Sequence, residues 1–215
     1  MSAGYGEEGN PRRLIFISAG NVDVRRPDEF PARNETEQIH DPGQAWNAVS
    51  VGGYTDKAVI SDRSLAAWRP LAPRGGLAPT SSTSLIWDHD WPLKPDLVLE
   101  AGNRILQPQT GAVDRHGDVE LLTTNANWRN RLLTTTGDTS AAAVEAARYA
   151  ALIQAEYPRL WPETIRALLV HSTRWTPQML DRRQPKNIAK SEWRRILRTY
   201  GFGVPDLASA LRSAR

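Results

Sequence analysis

The residue best placed to do chemistry in this sequence is a serine at the start of a long helical segment. Ser140 opens an alanine-rich stretch that we predict to be a helix from Ser140 to Tyr157, where Pro158 ends it. Helix starts favour serine because its hydroxyl can accept an unpaired backbone N–H. The same place also suits a nucleophile, because the positive end of a helix stabilises developing negative charge. Composition and periodicity leave both interpretations open.

A second candidate lies at the end of an apolar run near the beginning of the sequence. Residues Arg13 to Ser18 combine β-branched and aromatic side chains, which predicts a buried strand of a parallel sheet. The run ends in Ala19-Gly20-Asn21, residue types that are ordinary in a turn. This turn lies at the carboxyl end of the predicted strand, where open α/β sheets bind their ligands.

Both segments resemble motifs of the subtilisin-like serine proteases (subtilases, peptidase S8 family). Thr139-Ser140-Ala141-Ala142 is similar to the Gly-Thr-Ser-x-Ala serine motif, although Asp138 stands where the family has glycine and Val144 where it has proline. The strand followed by Ala19-Gly20-Asn21 is similar to the oxyanion segment of the family.

Two further segments occur in the order of the same family. Lys94 to Gly102 is similar to a Lys-Pro-Asp-(apolar)-x-Ala-Pro-Gly segment, with Ala101 in place of the proline. Tyr200-Gly201-Phe202-Gly203, followed by a predicted helix from Leu207 to Arg212, is similar to the closing part of subtilase domains.

The resemblance implies an α/β fold, with part of a parallel sheet and the helix from Ser140 packed on it. It implies that Ser140 attacks a peptide carbonyl to form an acyl-enzyme, while Asn21 and the backbone N–H of Ser140 hold the oxyanion. We then expect both side chains at one edge of the sheet. The substrate-binding residues implied in the same way are Ser18, Ala19, Gly20 and Thr139. No metal or organic cofactor is expected; calcium often stabilises subtilases, but the sequence shows no convincing site.

The general base and the acid that orients it are not found where the family has them. In subtilases the Asp and His motifs precede the oxyanion asparagine, whereas all the histidines here follow Asn21 and none is followed by Gly-Thr: His40, His89, His116 and His171. We therefore interpret 1–215 as the C-terminal portion of a subtilase catalytic domain. Residues 1–12 form a polar lead-in, and 13–215 form a core with long loops at 22–45 and 54–93.

This interpretation makes the chain part of a serine endopeptidase that is inactive alone. Its expected partners are a peptide or protein substrate and the missing N-terminal half of the domain. The exposed edge of a bisected sheet also predicts self-association, because the apolar run Leu14 to Ile17 would lose a neighbour. The alternative is a catalytically inactive subtilase-like binding or scaffolding module, which the departures at Asp138 and Val144 favour. An α/β-hydrolase is set aside because Ala141-Ala142 follows Ser140 where that fold has x-Gly.

Composition excludes several other classes of protein. The net charge of +3 is too small to indicate a nucleic-acid partner, and the absence of cysteine excludes disulfides and thiolate metal sites. No apolar run reaches the roughly 18 residues of a membrane span. A late basic run is predicted to be a solvated helix face: Arg182, Arg183, Lys186, Lys190, Arg194, Arg195 and Arg198.

Tryptophans and apolar periodicity give the remaining expectations. The segment from Trp46 to Gly53 resembles the next strand of subtilases, and this resemblance implies that Trp46 and Val49 face a core. Trp68, Trp87 and Trp91 either hold the loop 54–93 against the body or form an exposed patch, and we favour packing. Residues Glu163 to Thr173 are amphipathic and predict a helix.

Overall fold

The computed structural model describes residues 12–213. The polar lead-in predicted for 1–12 lies almost wholly outside the described residues. In chain order the strands and helices are β1 (Phe16–Ser18), α1 (Ala32–Thr36), β2 (Val49–Thr55), β3 (Arg69–Pro70), β4 (Gly76–Leu77), β5 (Leu97–Glu100), β6 (Ile105–Gln107), β7 (Ala112–Asp114), β8 (Leu121–Thr124), β9 (Leu133–Thr136), α2 (Asp138–Glu156), α3 (Pro162–His171), α4 (Lys190–Tyr200) and α5 (Leu207–Arg212).

The centre of the fold is a short parallel sheet whose middle strand is β2. It pairs in parallel with β1 on one side and with β5 on the other, while β4 pairs antiparallel with its carboxyl end. Within residues 12–213, β1 has no strand on its outer side. Its residues are accordingly only half-buried, whereas β2 and β5 are almost fully buried. The predicted α/β class is confirmed, with β1 as an open edge.

Helix α2 packs along the face of this sheet. It begins two residues before the predicted Ser140 and ends at Glu156. Ala142, Ala146 and Ala150 lie on its buried face, one turn apart, against Val51 and the other core residues of the strands. Small side chains at this spacing let the helix backbone approach the sheet closely, so the position of the helix start relative to the strand ends is well determined.

The closing glycines have a packing reason. Gly201 and Gly203 both have positive φ, at 57° and 105°, a conformation that glycine adopts at little cost. A Cβ at Gly201 would lie 2.4 Å from the backbone of Asp96, and a Cβ at Gly203 would lie 2.5 Å from the Arg174 carbonyl oxygen. The segment after α4 therefore requires glycine at 201 to fit against the residues before β5, and at 203 to fit against the residues after α3.

A buried ion pair fixes the start of β5. The Lys94 ammonium lies 2.6 Å from the Asp96 carboxylate and donates to the Ala48 carbonyl oxygen. Asp96 also accepts from the Ser50 N–H and from the guanidinium of Arg166. Burial lowers the pKa of Lys94, while Asp96 opposes that shift. This network explains the Lys-Pro-Asp segment as a structural joint between β2, β5 and α3.

Several expectations about the aromatic residues are corrected. Trp46 was predicted to face a core but is 72% exposed, because β2 begins only at Val49 and Trp46 lies in the turn before it. Val49 is buried as predicted. Of the loop tryptophans, Trp87 is buried against Ala19, whereas Trp91 is 47% exposed.

The basic run and the long loops also differ from expectation. Arg198 is only 3% exposed, so the late basic residues do not all form a solvated face. The segment 22–45 contains a short 3-10 turn and α1, and the segment 54–93 contains β3, β4 and the end of β2. Helix α3 is a little shorter than predicted, and α5 has the predicted bounds.

The unpaired edge of β1 predicts that the chain self-associates. A charged side chain placed on this edge should reduce the association. We expect Ile17→Lys, in the middle of β1, to lower the association of the chain, because a lysine on an edge strand opposes strand-to-strand pairing. Sedimentation velocity over a concentration series measures the effect. Val59→Lys, at a loop residue that is 69% exposed, is the matched control and should leave association unchanged. A compact monomer of the unmodified chain at every concentration would contradict this prediction.

Candidate active site

The asparagine after β1 is held by a neighbouring extended segment. The Val22 N–H donates to the Thr80 carbonyl, and the Ser82 N–H donates to the Gly20 carbonyl. Asn21 thus forms an isolated antiparallel bridge with Ser81. These bonds fix the backbone at the carboxyl end of β1, so the Asn21 side chain has a defined starting point.

The Asn21 side chain reaches the first turn of α2. Its Oδ1 accepts from the Thr139 N–H at 3.0 Å and from the Thr139 hydroxyl at 2.7 Å. A helix start leaves its first backbone N–H groups without partners inside the helix, and Asn21 satisfies one of them from a distant part of the chain. With Oδ1 engaged in this way, the Nδ2 group has no acceptor among residues 12–213 and is available to a ligand.

Ser140 follows directly after the residue that Asn21 contacts. Its side chain is exposed and makes no hydrogen bond in the described part of the chain. As the third residue of α2, its N–H is also one of the unpaired donors of the helix start. The structure therefore brings Asn21 and Ser140 to one edge of the sheet, with an exposed hydroxyl beside two unpaired N–H donors.

Asp138 occupies a backbone conformation that explains the glycine of the family motif. Its φ is +68°, in the left-handed region that favours glycine and that aspartate tolerates better than most residues. Its carboxylate lies 2.7 Å from the Arg104 guanidinium, which donates a hydrogen bond to it. The sequence did not identify Arg104 as a site residue. The only signal for it was the unusual Asp138, whose carboxylate needs a positively charged partner.

Further charged side chains lie near the first turn of α2. Arg115 donates to Glu120 at 2.5 Å and approaches Asp138 at 3.9 Å. Glu120 is buried and also accepts from the Thr135 hydroxyl. A cavity of about 370 Å³ opens between this network and Asn21. The negative charges near the start of α2 are therefore balanced by arginines.

The four residues predicted to bind substrate have different surroundings. The Ala19 side chain is buried against Ile39 and Trp87, so it presents only backbone to a ligand. Thr139 is fully buried, with its hydroxyl on Asn21 Oδ1 and 3.0 Å from the Gly20 carbonyl. Thr139 thus positions Asn21 rather than lining a surface. Ser18 and Gly20 are half-buried at the end of β1.

No histidine contacts Ser140 within residues 12–213. His116 accepts from the Asp118 N–H and lies 3.8 Å from Asp62, and His89 lies beside Asp90. The described residues hold no group of three or more side chains able to ligate a metal. They also include no helix long and apolar enough to cross a membrane.

The conformation of Asp138 gives a stability prediction. Asp138→Gly and Asp138→Ala both remove the carboxylate that pairs with Arg104, but only alanine forces a Cβ into the left-handed region. We expect the glycine variant to be the more stable by about 1 kcal/mol in urea unfolding. Ala147→Gly, at an exposed place inside α2, is the control and should destabilise by about 1 kcal/mol. Equal stability of the two Asp138 variants would show that the backbone there is not left-handed.

Comparison with known proteins relates this geometry to a family. The model of the subtilase family matches residues 2–203. Among solved structures, a lanthipeptide protease is 20% identical with a TM-score of 0.54, over 93% of this chain and 51% of that one. The prenylagaramide maturation protease PagA is 15% identical with a TM-score of 0.52, over 93% of this chain and 50% of that one.

At these identities the two structures show the fold alone. The chain spans about half the length of the solved structures that it matches. Comparison with curated proteins gives no match. Since the family model covers nearly the whole chain, and the fold agrees with it, the chain belongs to the subtilase family.

Proposed function

We propose that this chain is the portion of a serine endopeptidase that carries the nucleophile and the oxyanion donors. One observation carries the proposal: Asn21 Oδ1 is engaged by Thr139, so that Nδ2 and the Ser140 N–H remain unpaired beside an exposed hydroxyl. Two such donors stabilise the oxyanion of a tetrahedral intermediate. This stabilisation is commonly the largest single contribution to the rate enhancement of an acyl-transfer site.

The reaction begins with attack of Ser140 Oγ on the carbonyl carbon of the scissile peptide bond. The carbonyl oxygen becomes an oxyanion between Asn21 Nδ2 and the Ser140 N–H. Collapse of the intermediate releases the amine and leaves an acyl-enzyme, which water then hydrolyses. No step requires a metal or an organic cofactor.

The proton of the serine hydroxyl must pass to a base, and no histidine contacts Ser140 among residues 12–213. Without a base a serine remains a neutral hydroxyl and a weak nucleophile. We propose that the base and the acid that orients it come from the missing N-terminal half of the domain. The partners of this chain are therefore that half and a peptide or protein substrate.

An inactive binding or scaffolding module is the competing function, and the lack of a histidine beside Ser140 favours it. The electrostatics support the enzyme instead. A carboxylate at Asp138 alone would oppose an oxyanion two residues away, but Arg104 pairs with it at 2.7 Å. A charge balanced in this way beside the oxyanion donors is expected of a site that stabilises negative charge.

The chain alone should not hydrolyse a fluorogenic peptide above background, and a serine-directed phosphonate should not label it faster than it labels Ser140→Ala. The physical reason is the unactivated hydroxyl. Turnover by the chain that Ser140→Ala abolishes would mean that one of its own histidines acts as the base.

A second test addresses the oxyanion role, with the chain joined to a segment that bears subtilase Asp and His motifs. Asn21→Asp keeps an oxygen for both Thr139 bonds but removes the Nδ2 donor and adds a negative charge. We expect kcat to fall by about 10²–10³-fold, typical of removing one oxyanion donor, with KM little changed. Asn127→Asp, on an exposed loop, is the matched control. A variant with unchanged kcat would exclude Asn21 as a donor to the oxyanion.

A further inference from the structure

Helix α4 borders a second cavity, which shares no lining residue with the one beside Asn21. It has a volume of about 350 Å³. Three of the seven residues that line it are arginines and none is acidic: Leu85, Trp87, His89, Ser191, Arg194, Arg195 and Arg198. Ser191, Arg194 and Arg198 are spaced three and four residues apart, so one face of α4 presents them together.

Arg198 is the most unusual of these residues because it is a buried cation without an ionic partner. Its guanidinium donates to the carbonyl oxygens of Ser84, Trp87 and Asp88. Its Nε is buried and has no hydrogen-bond partner. It forms no ion pair among residues 12–213, although Asp88 is near enough to favour its charge. Burial and the neighbouring Arg194 lower the pKa of Arg198.

The other arginines leave the cavity positive. Arg195 pairs with Glu35, so its charge is balanced. Arg194 donates to the His89 carbonyl oxygen and forms no ion pair in the described part of the chain. Arg194 and Arg198 therefore both line the cavity, and neither forms an ion pair within residues 12–213. Keeping a buried cation unpaired is costly, and a bound anion would remove much of that cost.

We propose that this cavity is a binding site for an oxyanion group, a carboxylate or a phosphoryl group, held by Arg194 and Arg198. Guanidinium groups bind both kinds of anion through charge-assisted hydrogen bonds. The Ser191 hydroxyl and the His89 ring supply further polar atoms at the wall. The site lies apart from the nucleophile and takes no part in the peptide-bond chemistry proposed above.

The site is connected to the oxyanion segment through one buried side chain. Arg198 holds the carbonyl groups of the loop from Ser84 to Asp88, and Trp87 of that loop belongs to a buried cluster with Ala19 and Ile39. Ala19 lies two residues before Asn21. An anion bound to Arg198 would thus stabilise the loop on which the end of β1 rests.

The test is isothermal titration calorimetry on the full chain at constant ionic strength, with sodium phosphate in one arm and a hexaglutamate peptide in the other. We expect saturable binding with one site in at least one arm. Binding of phosphate alone assigns a phosphoryl group, and binding of the peptide alone assigns a carboxylate. Arg194→Gln should weaken the binding by about tenfold or more, as for the loss of one charge-assisted hydrogen bond.

Lys186→Gln is the matched control, since it removes one exposed positive charge of the same region and should leave affinity unchanged. Should Arg194→Gln fail to fold, the unmodified chain still locates the site, because an anion beside Arg198 should shift the NMR signal of the Trp87 indole N–H. Lack of saturable binding in both arms, equal weakening by the two variants, or binding that leaves the Trp87 signal unmoved would overturn the proposal.

Discussion

The candidate active site depends on the pair of hydrogen bonds that Asn21 Oδ1 accepts from Thr139. They join residues 118 positions apart and link the end of β1 to the first turn of α2. A single amide thereby has two functions: its oxygen satisfies the helix start, and its nitrogen is left for a ligand. This geometry requires the pairing of β1 with β2 and the close packing of the α2 alanines, which set the distance between the two segments.

The departures from the subtilase serine motif have physical explanations that do not require loss of function. Asp138 adopts the positive φ for which glycine is the usual residue, and Arg104 balances the charge that the substitution introduces. Val144 is 70% exposed on α2, where the helix continues without the proline of the family. With these changes, Ser140 still follows the Thr139 that Asn21 contacts and lies in the first turn of α2, among the unpaired N–H groups of the helix start.

The described structure is open where the sheet should continue. β1 is half-buried and unpaired on its outer side, and apolar Val144 and Leu152 are exposed on α2. Unpaired strand edges and exposed apolar side chains are unfavourable in water, so both features are expected of a surface that another segment covers. Ser140, at the carboxyl end of the same sheet, has no histidine in contact with its hydroxyl within residues 12–213. Under the proposed function, the segment that covers this surface would also supply the base.

The sequence alone determined the features that rest on local patterns. An apolar β-branched run predicted β1, small residues and Pro158 predicted α2, and the motif order predicted the family. The strand β2 was expected only from the resemblance to subtilases. What it did not reveal were contacts between distant residues. The pairing of Arg104 with Asp138, the burial of Arg198 under a loop more than 100 residues away, and the exposure of Trp46 follow from how elements meet. Side-chain periodicity reports which face of an element is apolar, but only tertiary packing decides which partner that face, or a charge beside it, will find.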